Sequence, residues 1–254
     1  MRAMRRSRVA PASARWPALV ACLGLATAPT SSRASDFFGP QRAFQIQPEI
    51  DLYDSVTGNM RLILQVQSAL IPAQSYAGGY VGGFMDWSLA ALGRRLLSAD
   101  LAKTHALNIR FGASYSNTID PGSVGSSEYV SLQLDVTPRY FLPWEILATN
   151  RHRVTTRWNL LASDALSWRF RDRLRFEREF NLKELALTPF VDVEFIWQSP
   201  PAMWSQFRME AGVQCPFEVG DLKQTLEVNF TALTYLQPTR TWRPVLGLIW
   251  SFFV

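Results

Sequence analysis

The chain has 254 residues, a formal charge of +5, nine tryptophans and 13% aromatic side chains, with only two cysteines and two histidines. The first 34 residues carry six arginines (Arg2, Arg5, Arg6, Arg8, Arg15 and Arg33) and no acid, so removing them takes the formal charge from +5 to −1. The basic character therefore belongs to that segment, and the remaining chain lacks the basic surface that a nucleic-acid partner requires.

Residues 1–34 read as a cleaved signal peptide. Arginines come first, an apolar run from Trp16 to Ala28 follows, and Ser32-Arg33-Ala34 puts small residues where a signal peptidase cuts. An apolar run of this length is too short for a membrane-spanning helix, which needs about 20 residues. Leu19-Val20-Ala21-Cys22 has the look of a lipoprotein box, but the apolar run continues past Cys22, which favours the ordinary leader. With Cys22 removed, Cys215 is alone, which excludes an intramolecular disulfide, and His105 and His152 are too few for a His-rich metal centre. No cofactor and no metal are expected.

From Ser35 onward, apolar and polar residues alternate with period two in one segment after another, the signature of half-buried strands. Phe44, Ile46, Pro48, Ile50 and Leu52 alternate with Gln45, Gln47, Glu49, Asp51 and Tyr53. After a turn at Thr57-Gly58-Asn59, Leu62, Leu64 and Val66 oppose Arg61, Gln65 and Gln67. Strands are expected near residues 42–54, 59–70, 77–91, 104–116, 128–141, 151–162, 166–180, 184–198, 203–216, 222–236 and 242–254. These are eleven segments. Single-chain bacterial barrels have even strand numbers, so twelve strands are expected, with ten as the alternative and one segment merged, split or false. The run Leu92–Leu97 fits a short helix equally well. Asn117–Ser127, rich in Gly, Ser and Asp, is the longest polar connection.

No stretch after residue 34 approaches 18 consecutive apolar residues, which argues against membrane-spanning helices. The pattern predicts an all-β fold: one domain over residues 35–254, built as an antiparallel transmembrane β-barrel in a bacterial outer membrane. A soluble sandwich or lipocalin-like barrel alternates too, with its apolar face inward. Charges at strand centres and an apolar strand running to Val254 through Leu246, Leu248, Trp250 and Phe252 favour the membrane. The expected partners are outer-membrane lipid and, through that last strand, the barrel-insertion machinery. Oligomeric state is open.

The most distinctive stretch runs from Trp168 to Phe180. Arg169, Arg171, Arg173, Arg175, Glu177 and Glu179 share one face of a strand, and the opposite face, Trp168, Phe170, Leu174, Phe176 and Phe180, is interrupted by Asp172 and Arg178. The next strand offers Thr188, Asp192 and Glu194. A turn near Asn181–Lys183 brings Arg169, Arg171 and Arg173 close to Asp192 and Glu194, because stacked guanidinium groups in low dielectric require acidic partners. Arg157, Arg208, Glu210 and Glu227 extend this lumen network. Two readings follow: an anion-attracting lumen, since arginine rings favour anions in pores, and the favoured one, a lumen plugged by ion pairs.

The run from Trp168 to Phe176 followed by Leu187-Thr-Pro-Phe-Val-Asp-Val-Glu-Phe-Ile-Trp197 resembles the proteobacterial outer-membrane family catalogued as domain of unknown function 2490. Trp204, Arg208 and Leu226-Glu227-Val228 extend the likeness. The resemblance implies an outer-membrane barrel and supplies no activity.

A membrane-embedded hydrolase is the alternative. Its base would be His105 or His152, with Ser114 or Ser131 as candidate partners of His105, but neither histidine stands in a His-x-Ser arrangement. His152, between Arg151 and Arg153, is read as part of a basic strand start near lipid headgroups. Gly78-Gly79 and Gly82-Gly83 belong to no phosphate loop, since no helix follows with Lys-Ser/Thr. They are expected to relieve crowding in a bent strand.

Overall fold

The computed structural model describes residues 44–71, 78–92, 100–119, 126–161, 166–182, 185–199, 203–236 and 241–254. The predicted signal peptide, the run 93–99 and most of the connection after Asn117 lie outside the described residues.

Twelve strands follow in order: β1 Gln45–Thr57, β2 Met60–Ala69, β3 Gly78–Ala91, β4 His105–Ile119, β5 Ser126–Phe141, β6 Leu147–Asn159, β7 Leu166–Glu177, β8 Phe180–Leu182, β9 Leu185–Ser199, β10 Met203–Val219, β11 Leu222–Tyr235 and β12 Thr241–Phe253. All pair in one closed sheet, in which β9 joins both β7 and β10. The segment expected at 166–180 is split: β7 stops at Glu177, and three-residue β8 continues along β9 beyond it. The wall therefore has eleven staves, and β8 is an extension of one of them.

That odd number has a topological consequence. Strands joined by hairpins alternate in direction, so the first and eleventh staves must run the same way. The seam pairs β1 with β12 in parallel, from Gln45↔Val245 to Tyr53↔Phe253, while the pairs between successive staves are antiparallel. The described chain consequently enters at one end of the barrel and leaves at the other. The end where β12 finishes, here the carboxy-terminal end, holds the two-residue loops 58–59 and 220–221. Gly220 adopts φ 62° in the second of these, as a tight hairpin requires. A short 3₁₀ turn, Leu101–Thr104, precedes β4 at this end, with Ala102 and Lys103 buried.

The polarity of the wall is the reverse of a soluble barrel's. Asp86, Asp135, Asp192 and Glu194 point inward with side chains only 0–3% exposed. Leu132, Met209, Val191 and Phe230 point outward and are 51–55% exposed. Eight tryptophans lie within the described residues, and all sit towards the ends of the wall. Trp158, Trp168, Trp197, Trp204 and Trp242 ring the amino-terminal end, and Trp87, Trp144 and Trp250, with Tyr140, ring the other.

Inward-facing glycines make room for larger neighbours. A Cβ on Gly112 would strike the Gly83 carbonyl oxygen and the Phe84 backbone, whereas one on Gly58, in the first hairpin, would meet nothing. Overpacking of this kind costs about 1–3 kcal/mol. Gly112→Ala is expected to lower the urea-unfolding free energy in lipid vesicles by that amount, and Gly58→Ala to change it by less than about 0.5 kcal/mol.

Candidate functional site: the charged lumen

Alternation places Arg61 on β2, Asp86 on β3, Arg110 on β4, Asp135 on β5, Arg151 and Arg153 on β6, the arginine ladder on β7, Asp192 and Glu194 on β9, Arg208 and Glu210 on β10 and Glu227 on β11. All face the lumen. Each cation then finds its acid mostly on the next strand, because cross-strand neighbours on one face lie within reach of long side chains.

The ladder behaves in two halves. Register sets Arg173 opposite Glu194 and Arg175 opposite Asp192, while Arg169 faces Gln198 and Arg171 faces Ile196. Arg171 nevertheless reaches Glu194 with two hydrogen bonds, donated by Nε (3.1 Å) and Nη2 (2.7 Å), and Arg151 and Arg208 approach the same carboxylate at 3.3 Å. Arg175 is the hub of the other half. It donates to Asp192 at 3.0 Å, Glu210 at 3.3 Å and Glu227 at 3.5 Å, and its guanidinium lies 3.8 Å from the centroid of Phe190. Arg173 reaches Asp192 only at 3.9 Å. Of the three arginines expected beside Asp192 and Glu194, Arg171 and Arg173 are there, whereas Arg169 is opposite Gln198 and Arg175 takes the place foreseen for it. Arg157 stands apart from this group, 3.9 Å from the ring centre of Tyr129 near the amino-terminal end.

Several members of the network have no counterpart in the expected set. Asp86 accepts two hydrogen bonds from Arg61 and two from Arg110. Asp135 accepts a fork from Arg153 at 2.9 and 2.8 Å. On β1, Glu49 and Asp51 are held by amides from Gln67 and Gln65. Period-two alternation marks each of these as inward, but the partners lie 18 to 25 residues apart for the ion pairs, and only the register identifies them.

The 3₁₀ turn joins this network across the lumen. Lys103 Nζ donates to Glu177 of β7 at 2.6 Å and to Gln214 of β10 at 2.7 Å; Gln214 in turn donates to Glu227. Arg139 donates to the Ala102 carbonyl at 2.9 Å, and Arg61 pairs with Asp100 at 2.5 Å. A connection between β3 and β4 is thereby tied to staves on the far side of the barrel. Burial by itself would raise the Asp100 carboxyl, but Arg61, then Arg139 and Lys103, hold it well below the ordinary carboxylate range.

The histidines fall elsewhere. His105 opens β4 at the carboxy-terminal end, while Ser114 and Ser131 pair with each other further along the wall, so neither forms a Ser–His pair with it. The structure corrects the reading of His152 as part of a strand start. β6 begins at Leu147, and His152 sits mid-strand on the outer face, with Nδ1 3.2 Å from Asp172 of β7 and Nε2 3.2 Å from the Asn150 amide. No serine or cysteine on β5, β6, β7 or β9 shares that outer face beside it; Thr156, four residues along, is the nearest hydroxyl on β6. Among the described residues, no group of three or more His, Cys, Asp or Glu is placed to hold a metal ion.

These features define a closed eleven-stave β-barrel with an apolar exterior and a charge-packed interior. No family model matches the chain, and no curated protein does. Among solved structures, the β-domain of the Bordetella autotransporter BrkA is similar at 14% identity and a TM-score of 0.37, over 78% of this chain and 83% of that one. A likeness that distant carries no argument about function.

Arg175 gives the sharpest test of the network. Its removal leaves Asp192, Glu210 and Glu227 facing one another without their shared cation, and breaking a buried pair from one side costs about 3–5 kcal/mol. Arg175→Ala is expected to lose that much unfolding free energy in vesicles. Lys223→Ala, which removes an exposed partner of Glu218 at 4.0 Å, is expected to lose less than about 0.5 kcal/mol.

Asp100 gives a pH test. Its folded-state pKa lies below the unfolded value of about 3.9, so its stabilisation is fully present above that value and disappears as pH falls through the folded pKa. The stability difference between wild type and Asp100→Asn should be constant from pH 7 to about 5 and should shrink only below about pH 4.

Proposed function

We propose that the chain is an exported outer-membrane β-barrel whose lumen is stoppered by its own ion pairs, so that it serves as a structural wall protein rather than an open pore or an enzyme. The observation that carries this reading is the reversed polarity: buried carboxylates inside, half-exposed leucine, valine and phenylalanine outside, and tryptophans gathered at both ends. A protein surface this apolar would aggregate in water, whereas a closed barrel with an apolar band and aromatic girdles suits a bilayer. The predicted leader, the insertion machinery as partner of β12, and the likeness to the family of unknown function 2490 fit the same reading.

The stopper reading rests on Glu194 and Arg175, which tie β6, β7, β9, β10 and β11 together inside the lumen, and on Lys103, which carries bonds from the 3₁₀ turn across it to β7 and β10. A narrow channel for small anions is the second reading. It is favoured by Arg157, which makes no ion pair among the described residues. The hydrolase alternative has less support, since His152 has an acid and an amide beside it but, among the described residues, no serine or cysteine on the same face.

Three measurements decide. The mature protein should fractionate with the outer membrane and migrate faster unheated than heated; a soluble periplasmic product would overturn the membrane reading. Leu132→Arg, in the middle of β5's outer face, should cost about 2–4 kcal/mol in vesicles, where a water-facing site would tolerate it. Planar bilayers should show no conductance above background; stable anion-selective steps would replace the stopper reading with the channel.

A further inference from the structure

Between the two aromatic girdles, the outward-facing described residues are apolar or small except for Thr156, Thr234, Cys215 and three linked through His152: Asn150, His152 and Asp172. Asp172 lies four residues from Trp168 in the amino-terminal girdle and four from Phe176, which pairs beside Ala148 and Tyr140 at the other end. At about 3.3 Å per residue and a tilt of about 40°, that is about 10 Å of depth on either side. The His152 and Asp172 side chains are 41% and 42% exposed. Ionisable groups at such depth are costly against lipid tails and characteristically face protein or a hydrated cavity.

We propose that the outer face of β5, β6 and β7 is a dimer interface, on which a second copy of this chain docks with Asn150, His152 and Asp172 at the centre. The argument rests on the membrane reading above and on symmetry. Copies inserted by one route share one orientation, so a two-fold axis relating them must run along the membrane normal. Each depth on one copy then meets the same depth on the other, and the polar cluster meets its own image. A different partner would have to carry its own polar group at that depth. The cluster is also self-complementary, as an isologous contact requires. It holds an acid, an imidazole and an amide, so the Asp172 carboxylate of one copy can face the His152 imidazole of the other. Asn150 Oδ1 is buried with no hydrogen-bond partner among the described residues, so the cluster is not satisfied by its own members alone. Val136, Val154, Phe170 and Leu174 frame the cluster with apolar surface.

Cross-linking in native membranes tests this. In a full-length Cys215→Ala background, Val136→Cys, Val154→Cys and, on the distant β11 stave, Phe230→Cys are treated with a short bis-maleimide. A band at twice the monomer mass is expected from at least one of the first two and none from the third. Combining the productive cysteine with Asn150→Leu, His152→Leu and Asp172→Leu is expected to abolish the band while heat-modifiable migration persists. The proposal is overturned if neither face cysteine cross-links above Phe230→Cys, or if the leucine-substituted protein cross-links as well as its parent. Should that variant fail to insert, the single-cysteine comparison decides alone. A protein that is membrane-inserted but monomeric defeats only the dimer, whereas a soluble one defeats the membrane reading too.

Discussion

The whole interior depends on cation and carboxylate meeting at hydrogen-bond distance. An unpaired charge in low dielectric costs several kcal/mol, so charges sheltered inside the wall favour close partners. Arg175 shows how tightly this constrains the sequence: one guanidinium serves carboxylates from β9, β10 and β11 and still covers the Phe190 ring. Glu194 is the mirror case, one carboxylate serving Arg151, Arg171 and Arg208. Because each hub reaches three other strands, the network fixes stagger between staves as well as neutralising charge. Sliding one strand by two residues would keep its faces but break several pairs at once, so register is specified electrostatically where an apolar core would specify it by shape.

Closure is a second constraint on the same object. Eleven staves force the parallel seam between β1 and β12, a pairing somewhat less favourable per residue than the antiparallel one. Side-chain packing reinforces it: Tyr53 of β1 stacks on Phe253 of β12 with ring centres 4.8 Å apart, and Arg61 covers the same tyrosine at 4.5 Å. Arg61 also binds Asp86 and Asp100, so the seam, the second and third staves and the inserted turn share a single charged residue.

Much of this was legible from residue order. Alternation located every stave to within a few residues, because its period is a property of the pleat and needs no partner. The faces of the arginine ladder and of Asp192, Glu194, Glu210 and Glu227 followed from the same rule. Pairings were less accessible. The displacement of Arg169 by Arg175 beside Asp192 reflects a hairpin lengthened by β8, and nothing in the composition of the turn announces that extension. Lys103 was invisible for a different reason: its segment lacks strand periodicity, and its bonds to Glu177 and Gln214 cross the lumen between residues 74 and 111 positions apart. His152 was misread because β6 begins four residues before its expected start, at Leu147, which turns an apparent strand end into the middle of the wall. Strand parity was open to the same weakness, since β7 and β8 read as one continuous pattern and only pairing separates them.

The same physics separates the two polar regions of the molecule. Inside, charges are numerous and sheltered, and most are explained by the neighbours they pair with, Arg157 over the Tyr129 ring being an exception. Outside, among the described residues, the Asn150–His152–Asp172 chain is a small polar island in an apolar field, with half-exposed surface that lipid tails could not satisfy under the proposed membrane reading. A network inside a barrel can be accounted for by stability alone, because removing any member harms the rest. A mid-wall imidazole and carboxylate have no such account: leucine at those positions would suit the surrounding surface better. Residues that oppose the local solvent without supporting the fold are where dealings with another molecule should be sought, and in this barrel they sit on the wall rather than in the lumen.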